Sequence, residues 1–133
     1  MTHYLSEITR IKDICYRNQR QLDTVIGTRN YINKHFDEEL SLELLSEVNC
    51  TSKFHLLRLF KRYYGLTPKQ YHIESRLYRA KALLLEGANI AETCYDVGFE
   101  SPSSFSTLFK TRFFGSTPSD FRKRATFAKS DSF

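Results

Sequence analysis

No run in this sequence approaches the ~18 consecutive apolar residues of a membrane-spanning helix, and its first residues lack the uninterrupted apolar core of a signal peptide. No membrane partner is expected, and the cytoplasm is the expected location. Cysteine is scarce: Cys15, Cys50 and Cys94 are odd in number and far apart, with no CxxC and no His at ligand spacing. They read as reduced, buried thiols, so neither a metal site nor a disulfide framework is expected. His3, His35, His55 and His72 are equally scattered, and no Ser/His/Asp or paired-carboxylate pattern stands out. An enzyme and a bound cofactor are therefore not expected. Alternating apolar patterns are scarce as well, while apolar spacing is helical almost everywhere, which predicts an all-α protein.

What the sequence does contain is a repeat. A basic, aromatic segment followed by Gly65-Leu66-Thr67-Pro68-Lys69-Gln70-Tyr71 recurs as one followed by Gly115-Ser116-Thr117-Pro118-Ser119-Asp120-Phe121. Ser46 pairs with Cys94, Leu56 with Phe105 and Gly65 with Gly115, at offsets of 48, 49 and 50. The copies thus match apart from two single-residue insertions. At 133 residues the chain has room for one domain or two small subdomains sharing a connector, without a further regulatory domain. A small-molecule effector is not expected to act within it.

Positive charge is concentrated in the matching parts of the two copies. Between Ser52 and Lys81 lie Lys53, Arg58, Lys61, Arg62, Lys69, Arg76, Arg79 and Lys81 against Glu74 alone; between Ser103 and Arg124 lie Lys110, Arg112, Arg122, Lys123 and Arg124 against Asp120. The stretch from Ala82 to Pro102 holds only acids. One basic run is usually a solvated helix face. Two runs at repeated positions point to a polyanion, and duplex DNA is the repeating one.

Apolar spacing and capping signals predict the helices. A first runs from about Tyr4 to Arg20, with Leu5, Ile8, Ile11 and Ile14 or Cys15 on one side, and a second from about Asp23 to His35. Ser41 caps Leu42 to Val48, and Ser52 caps Lys53 to Tyr64, which Gly65 ends. These two helices and their tight turn have the proportions of a helix-turn-helix. Thr67, Pro68 and Gln70 open a long helix to about Glu86. Ile90 to Val97, a turn at Gly98-Phe99-Glu100, and a helix from Pro102 to Phe113 repeat the pattern; Thr117, Pro118 and Asp120 open a last short helix, and the tail from Ala125 is expected to be frayed.

Residues three and four apart share a helix face. In the first copy Leu56, Leu59, Phe60 and Tyr63 form the inward stripe and Phe54, Leu57, Arg58 and Lys61 the outward one. In the second, Phe105, Leu108, Phe109 and Phe113 point in, and Ser103, Ser106, Thr107 and Lys110 point out. An α-helix fits the major groove, where Arg bonds guanine and apolar groups meet thymine methyls. Arg58 is then the expected base reader, with Leu57 and Phe54 as methyl contacts and Ser103, Ser106 and Thr107 as less selective partners. Ser52, Lys53, Lys61, Arg62 and Lys110 are expected at phosphates. A connecting helix from Lys69 to Glu86 would be ~27 Å long, compatible with recognition helices ~34 Å apart in successive major grooves of a bent site.

Leu40-Ser41-Leu42-Glu43-Leu44-Leu45-Ser46, Ser52, Leu57-Arg58-Leu59-Phe60-Lys61, Ile90, Val97-Gly98-Phe99-Glu100-Ser101, Phe105-Ser106, Phe109-Lys110 and Gly115-Ser116-Thr117-Pro118 together resemble the DNA-binding domain of the AraC/XylS transcription regulators. The resemblance covers about Asp23 to Arg124. It implies a seven-helix domain of two homeodomain-like helix-turn-helix subdomains (about 41–64 and 90–114) joined by a long helix (about 68–86). Residues 1–22 would form a helical extension and 125–133 a flexible tail. It also implies a bacterial activator that recruits RNA polymerase, bound to double-stranded DNA as a monomer or as a dimer formed outside the domain. By position it carries base contacts onto Phe54, Leu57, Arg58, Pro102, Ser103, Ser106 and Thr107. Three departures stand out: Cys50 replaces a frequent turn glycine, Thr107 replaces a basic residue, and Phe113-Phe114-Gly115 is one residue longer than usual. Specificity is therefore expected mainly in the first subdomain. The rival readings are a helical protein-interaction module that has lost DNA binding, and RNA binding, which is disfavoured because the aromatics fall on buried stripes.

Overall fold

The computed structural model describes residues 2–130, with side chains to 126. Among the described residues every regular element is a helix: α1 (Thr2–Lys34), α2 (Leu42–Val48), α3 (Lys53–Tyr64), α4 (Pro68–Leu85), α5 (Ile90–Asp96), α6 (Pro102–Arg112) and α7 (Pro118–Ser130). The chain divides into two compact units. The first takes in the chain up to Tyr31 together with Ser41–Lys69, and the second takes in Ile32–Leu40 and the chain from Gln70 onward.

In the first unit, Val25 of α1, Leu45 of α2, and Leu56, Leu59 and Phe60 of α3 are buried. Ser41 and Ser52 cap α2 and α3 as expected, their hydroxyls accepting from the Leu44 and His55 amides at 3.0 and 3.2 Å. Gly65 ends α3 at φ 73°. The inward stripe of α3 differs from expectation at one position, because Tyr63 is 41% exposed. Leu56 and Phe60 are buried four residues apart, and the next step of four reaches half-buried Tyr64, whose ring lies 4.8 Å from that of Phe60.

The second unit is built around Leu77, Ala80 and Leu84 of α4, Cys94 and Val97 of α5 and its cap, and a cluster of Phe99, Phe105, Phe109, Phe113 and Phe121. Adjacent rings in that cluster lie 4.6 to 5.6 Å apart. Leu108 is partly buried against it. The helix expected at about 68–86 is observed as α4, and from Gln70 on it is a wall of this unit. Thr117 and Asp120 form the expected capping box of α7: the Asp120 carboxylate accepts from the Thr117 amide at 2.8 Å, and the Thr117 hydroxyl accepts from the Asp120 amide at 3.2 Å.

Three further expectations are corrected. The two N-terminal helices are one, and no break falls at residues 20–23, so the boundary expected at residue 22 is not a structural one. That stretch contains neither Gly nor Pro, and bonds from Gln19 Nε2 to Asp23 Oδ1 (2.9 Å) and from the Thr24 hydroxyl to the Arg20 carbonyl (3.0 Å) span it. The tail does not fray at Ala125: α7 continues to Ser130 and Ala125 is buried. Residues 131–133 of the expected flexible tail lie outside the described residues. Finally, of the three cysteines only Cys94 is buried, and its burial raises the thiol's pKa. Cys15 lies on a part of α1 that nothing in its unit covers, and Cys50 lies in a surface turn.

The turns of the two helix-turn-helix pairs are bonded alike. The Cys50 and Thr51 amides donate to the carbonyls of Glu47 and Ser46, and the Gly98 and Phe99 amides donate to those of Tyr95 and Cys94. Every partner is displaced by the same 48 residues. Both turns need a left-handed residue, with φ 100° at Gly98 and φ 51° at Cys50. A Cβ on Gly98 would stand 2.7 Å from the Asp37 carbonyl and 2.9 Å from Arg76 Nη2, so no side chain fits there.

Candidate nucleic-acid interface

The outward residues of α3 share one face because they follow one another at i, i+3, i+4 and i+7. Phe54 is 75% exposed, Arg58 and Lys61 are exposed, and Leu57 is half-buried between them. Phe54 therefore does not cover the core, whereas Leu57 does in part. Adding 49 to each number gives Ser103, Ser106, Thr107 and Lys110, all exposed on α6. Pro102, also exposed, opens that helix and corresponds to Lys53.

The two faces differ in chemistry. Among the described residues no hydrogen bond or ion pair engages the side chains of Arg58, Lys61 or Arg62, and Arg62 is exposed beside them. Lys53 is held at 3.2 Å from Glu43, an exposed pair that phosphate can displace at little cost. Ser52 is exposed, with its oxygen already accepting from His55. On α6 the Thr107 hydroxyl donates to the Ser103 carbonyl at 3.0 Å, so it keeps lone pairs and a methyl but no free donor. Ser103 and Ser101 lie oxygen to oxygen at 3.2 Å. Lys110 alone supplies charge among the outward residues of α6. Arg112 is withdrawn: its Nε donates to Glu74 at 2.5 Å, its guanidinium bonds the Tyr78 hydroxyl, and the carboxylate holds its pKa up.

Two further groups of basic residues were not assigned a role from sequence. Arg17 and Arg20 of α1 line a recess of about 360 Å³ together with Gln21, Thr24, Asn49, Cys50, Thr51 and His55. Their helical spacing of three was the available signal, but nothing in it pointed to the N-terminal end of α3. Arg122, Lys123 and Arg124 are exposed on α7, with Arg124 stacked on Phe121 at 4.5 Å. Among the described residues no group of three metal-ligating side chains comes together, and no helix is long and apolar enough to cross a membrane.

Known proteins place this arrangement. A helix-turn-helix domain family matches residues 45–124. The chain is 36% identical over 94 residues to the bifunctional transcriptional activator/DNA repair enzyme AdaA of Bacillus subtilis, covering 70% of this chain and 44% of that protein. It spans less than half the length of the first curated relatives it matches. An AraC-type regulator from Chromobacterium violaceum superposes with a TM-score of 0.74 at 28% identity, over 78% of this chain and 93% of that one. The DNA-binding domain of AdpA, solved in complex with a target DNA, does so at 0.69 and 26% identity, over 76% and 91%. The sequence motifs, the duplicated helical pairs and these matches lead to one conclusion: the chain belongs to the AraC family of helix-turn-helix transcriptional regulators.

Proposed function

We propose that the chain binds double-stranded DNA in a sequence-specific manner through the outward faces of α3 and α6, and that it activates transcription by meeting RNA polymerase beside its site. The observation that carries the reading is the repeated face: four positions on α3 recur on α6 at a constant offset, all exposed apart from half-buried Leu57 and basic at the same end. Arg58 reads a guanine, Phe54 and Leu57 contact thymine methyls, and Pro102, Ser103, Ser106 and Thr107 make weaker base contacts. Ser52, Lys53, Lys61, Arg62 and Lys110 hold phosphates. The two helices occupy successive major grooves ~34 Å apart. No enzymatic step is assigned to the chain, and its place of action is the cytoplasm, where the DNA is.

Selection of bound sequences from a random duplex pool tests the proposal and returns the site. A recovered consensus, bound with affinity that falls steeply with salt, supports DNA reading, because each phosphate contact releases a counterion. An exposed Phe54 also suits a protein-docking face. That alternative predicts no consensus and an affinity for its partner that salt hardly changes.

A further inference from the structure

From Thr2 to Arg20 no residue of α1 is buried, although this stretch carries Tyr4, Leu5, Ile8, Ile11 and Ile14. Tyr4 is 69% exposed and Ile11 56%. A helix with a bare apolar stripe draws its stability from whatever covers that stripe. Tyr4, Ile8, Ile11, Cys15, Asn18, Leu22 and Val25 follow one another in alternating steps of four and three. That is the 3.5-residue period of a coiled-coil seam. Val25, the last of the row, is fully buried in the core of the first unit, whereas Tyr4, Ile11, Cys15, Asn18 and Leu22 are exposed and Ile8 is half-buried.

The flanks of the row say what covers it. With Ile8 and Cys15 at the a positions and Tyr4 and Ile11 at d, Glu7 falls at g and Lys12 at the following e. In two parallel chains these positions face each other, so Glu7 of each copy meets Lys12 of the other with opposite charge. Within its own helix the Glu7 carboxylate reaches only Arg10, at 3.8 Å and in solvent. Leu5 and Ile14 occupy other flanking positions and widen the apolar strip. Arg10, Asp13, Arg17 and Arg20 all fall on the far side. Asn18, at a d position, is the one polar amide in the row, and it meets its own counterpart when two copies lie parallel and in register.

We propose that residues 4–22 of α1 pair with the same segment of a second copy of this chain as a parallel, in-register coiled coil, making the protein a dimer through a surface outside the family-matched residues 45–124.

Sedimentation of the intact chain between about 1 and 200 µM tests this. The expected result is a concentration-dependent dimer, weakened at least about tenfold by the double substitution Ile8→Glu/Ile11→Glu. Because those side chains are not buried in the monomer, the melting of the two buried cores should persist, while the helical signal of residues 4–22 falls with the dimer. A Cys50→Gly variant leaves Cys15 as the exposed thiol; facing a positions bring the two Cys15 residues within the ~5.5–6 Å Cα separation of a disulfide, so mild oxidation should give a covalent dimer. A monomer throughout, a dimer indifferent to the double substitution, or a dimer that fails to cross-link at Cys15 would each overturn the proposal.

Discussion

Arg58 is where the proposed specificity is most concentrated. It is exposed, it has no partner among the described residues, and it follows Phe54 by one helical turn. Arg58→Ala should lower discrimination at one or two base pairs by ~1 to 3 kcal/mol and leave random duplex nearly unaffected. Equal losses on both duplexes would show that Arg58 meets only phosphate. At the same scale Cys50 and Gly98 make a natural comparison, since one turn geometry is built once with a side chain and once without. Gly98→Ala should cost ~2–4 kcal/mol, because the new Cβ meets a carbonyl oxygen in a left-handed backbone. Cys50→Gly should be neutral or stabilising by up to ~1 kcal/mol. Thermal melts of the two variants check the opposite signs. The sequence made Cys50 conspicuous as a missing glycine. It could not tell that Asp37 and Arg76 crowd Gly98, because those contacts come from residues distant in the chain.

Helix starts were legible where a hydroxyl or carboxylate stands before the first turn, as at Ser41, Ser52, Ser101 and Thr117. They are local bonds written in neighbouring residues. The Asn89 cap of α5 was there to be read in the same way, since its side chain accepts from Glu92. Helix ends were harder: α1 passes through residues 20–23 and α7 passes Ala125, because no residue there stops a helix and Val25 and Ala125 find cores to enter. The long helix expected at about 68–86 is present as α4, but what it packs against was not legible: Leu77, Ala80 and Leu84 line the second unit's core, and that unit's polar interior depends on α4 as well. His72 Nε2 donates to the Phe36 carbonyl at 2.7 Å, and Arg76 donates to the Phe36 and Glu38 carbonyls at 2.7 and 2.8 Å. Burial, with the Arg76 charge adding to it, holds the His72 pKa below its ordinary 6.5, although the Phe36 bond opposes this. The folded state therefore favours neutral His72. Its contribution to stability is complete above pH ~6.5 and falls as pH drops from there toward the lowered folded value. Denaturant unfolding across pH 5 to 7.5 should show a decline below ~6.5 that His72→Gln reduces; an unchanged pH profile in that variant would assign the decline to other groups.

For the molecule as a whole, the all-α class, the duplication and the family were all legible in the sequence, because repeated punctuation and helical periodicity do not depend on distant contacts. The division into units was not: Ile32–Leu40 belongs with residues from Gln70 onward, a grouping no local signal announces. On the proposed reading, charge acts at this scale through affinity. Lys110→Ala should weaken binding to all sequences alike and reduce the slope of log K against log salt by about 1. Titrations at several salt concentrations on specific and random duplex read both quantities, and a loss confined to the specific duplex would make Lys110 a base reader.

The central claim is that two equivalent helix faces each read a major groove. Chemical interference at guanine N7 on the selected duplex tests it most directly, because that atom lies in the major groove. The account predicts two clusters of interfering guanines about one helical turn apart, ~10 base pairs, with the cluster under α3 lost in Arg58→Ala. A single cluster, or none on a duplex that is still bound, would contradict it.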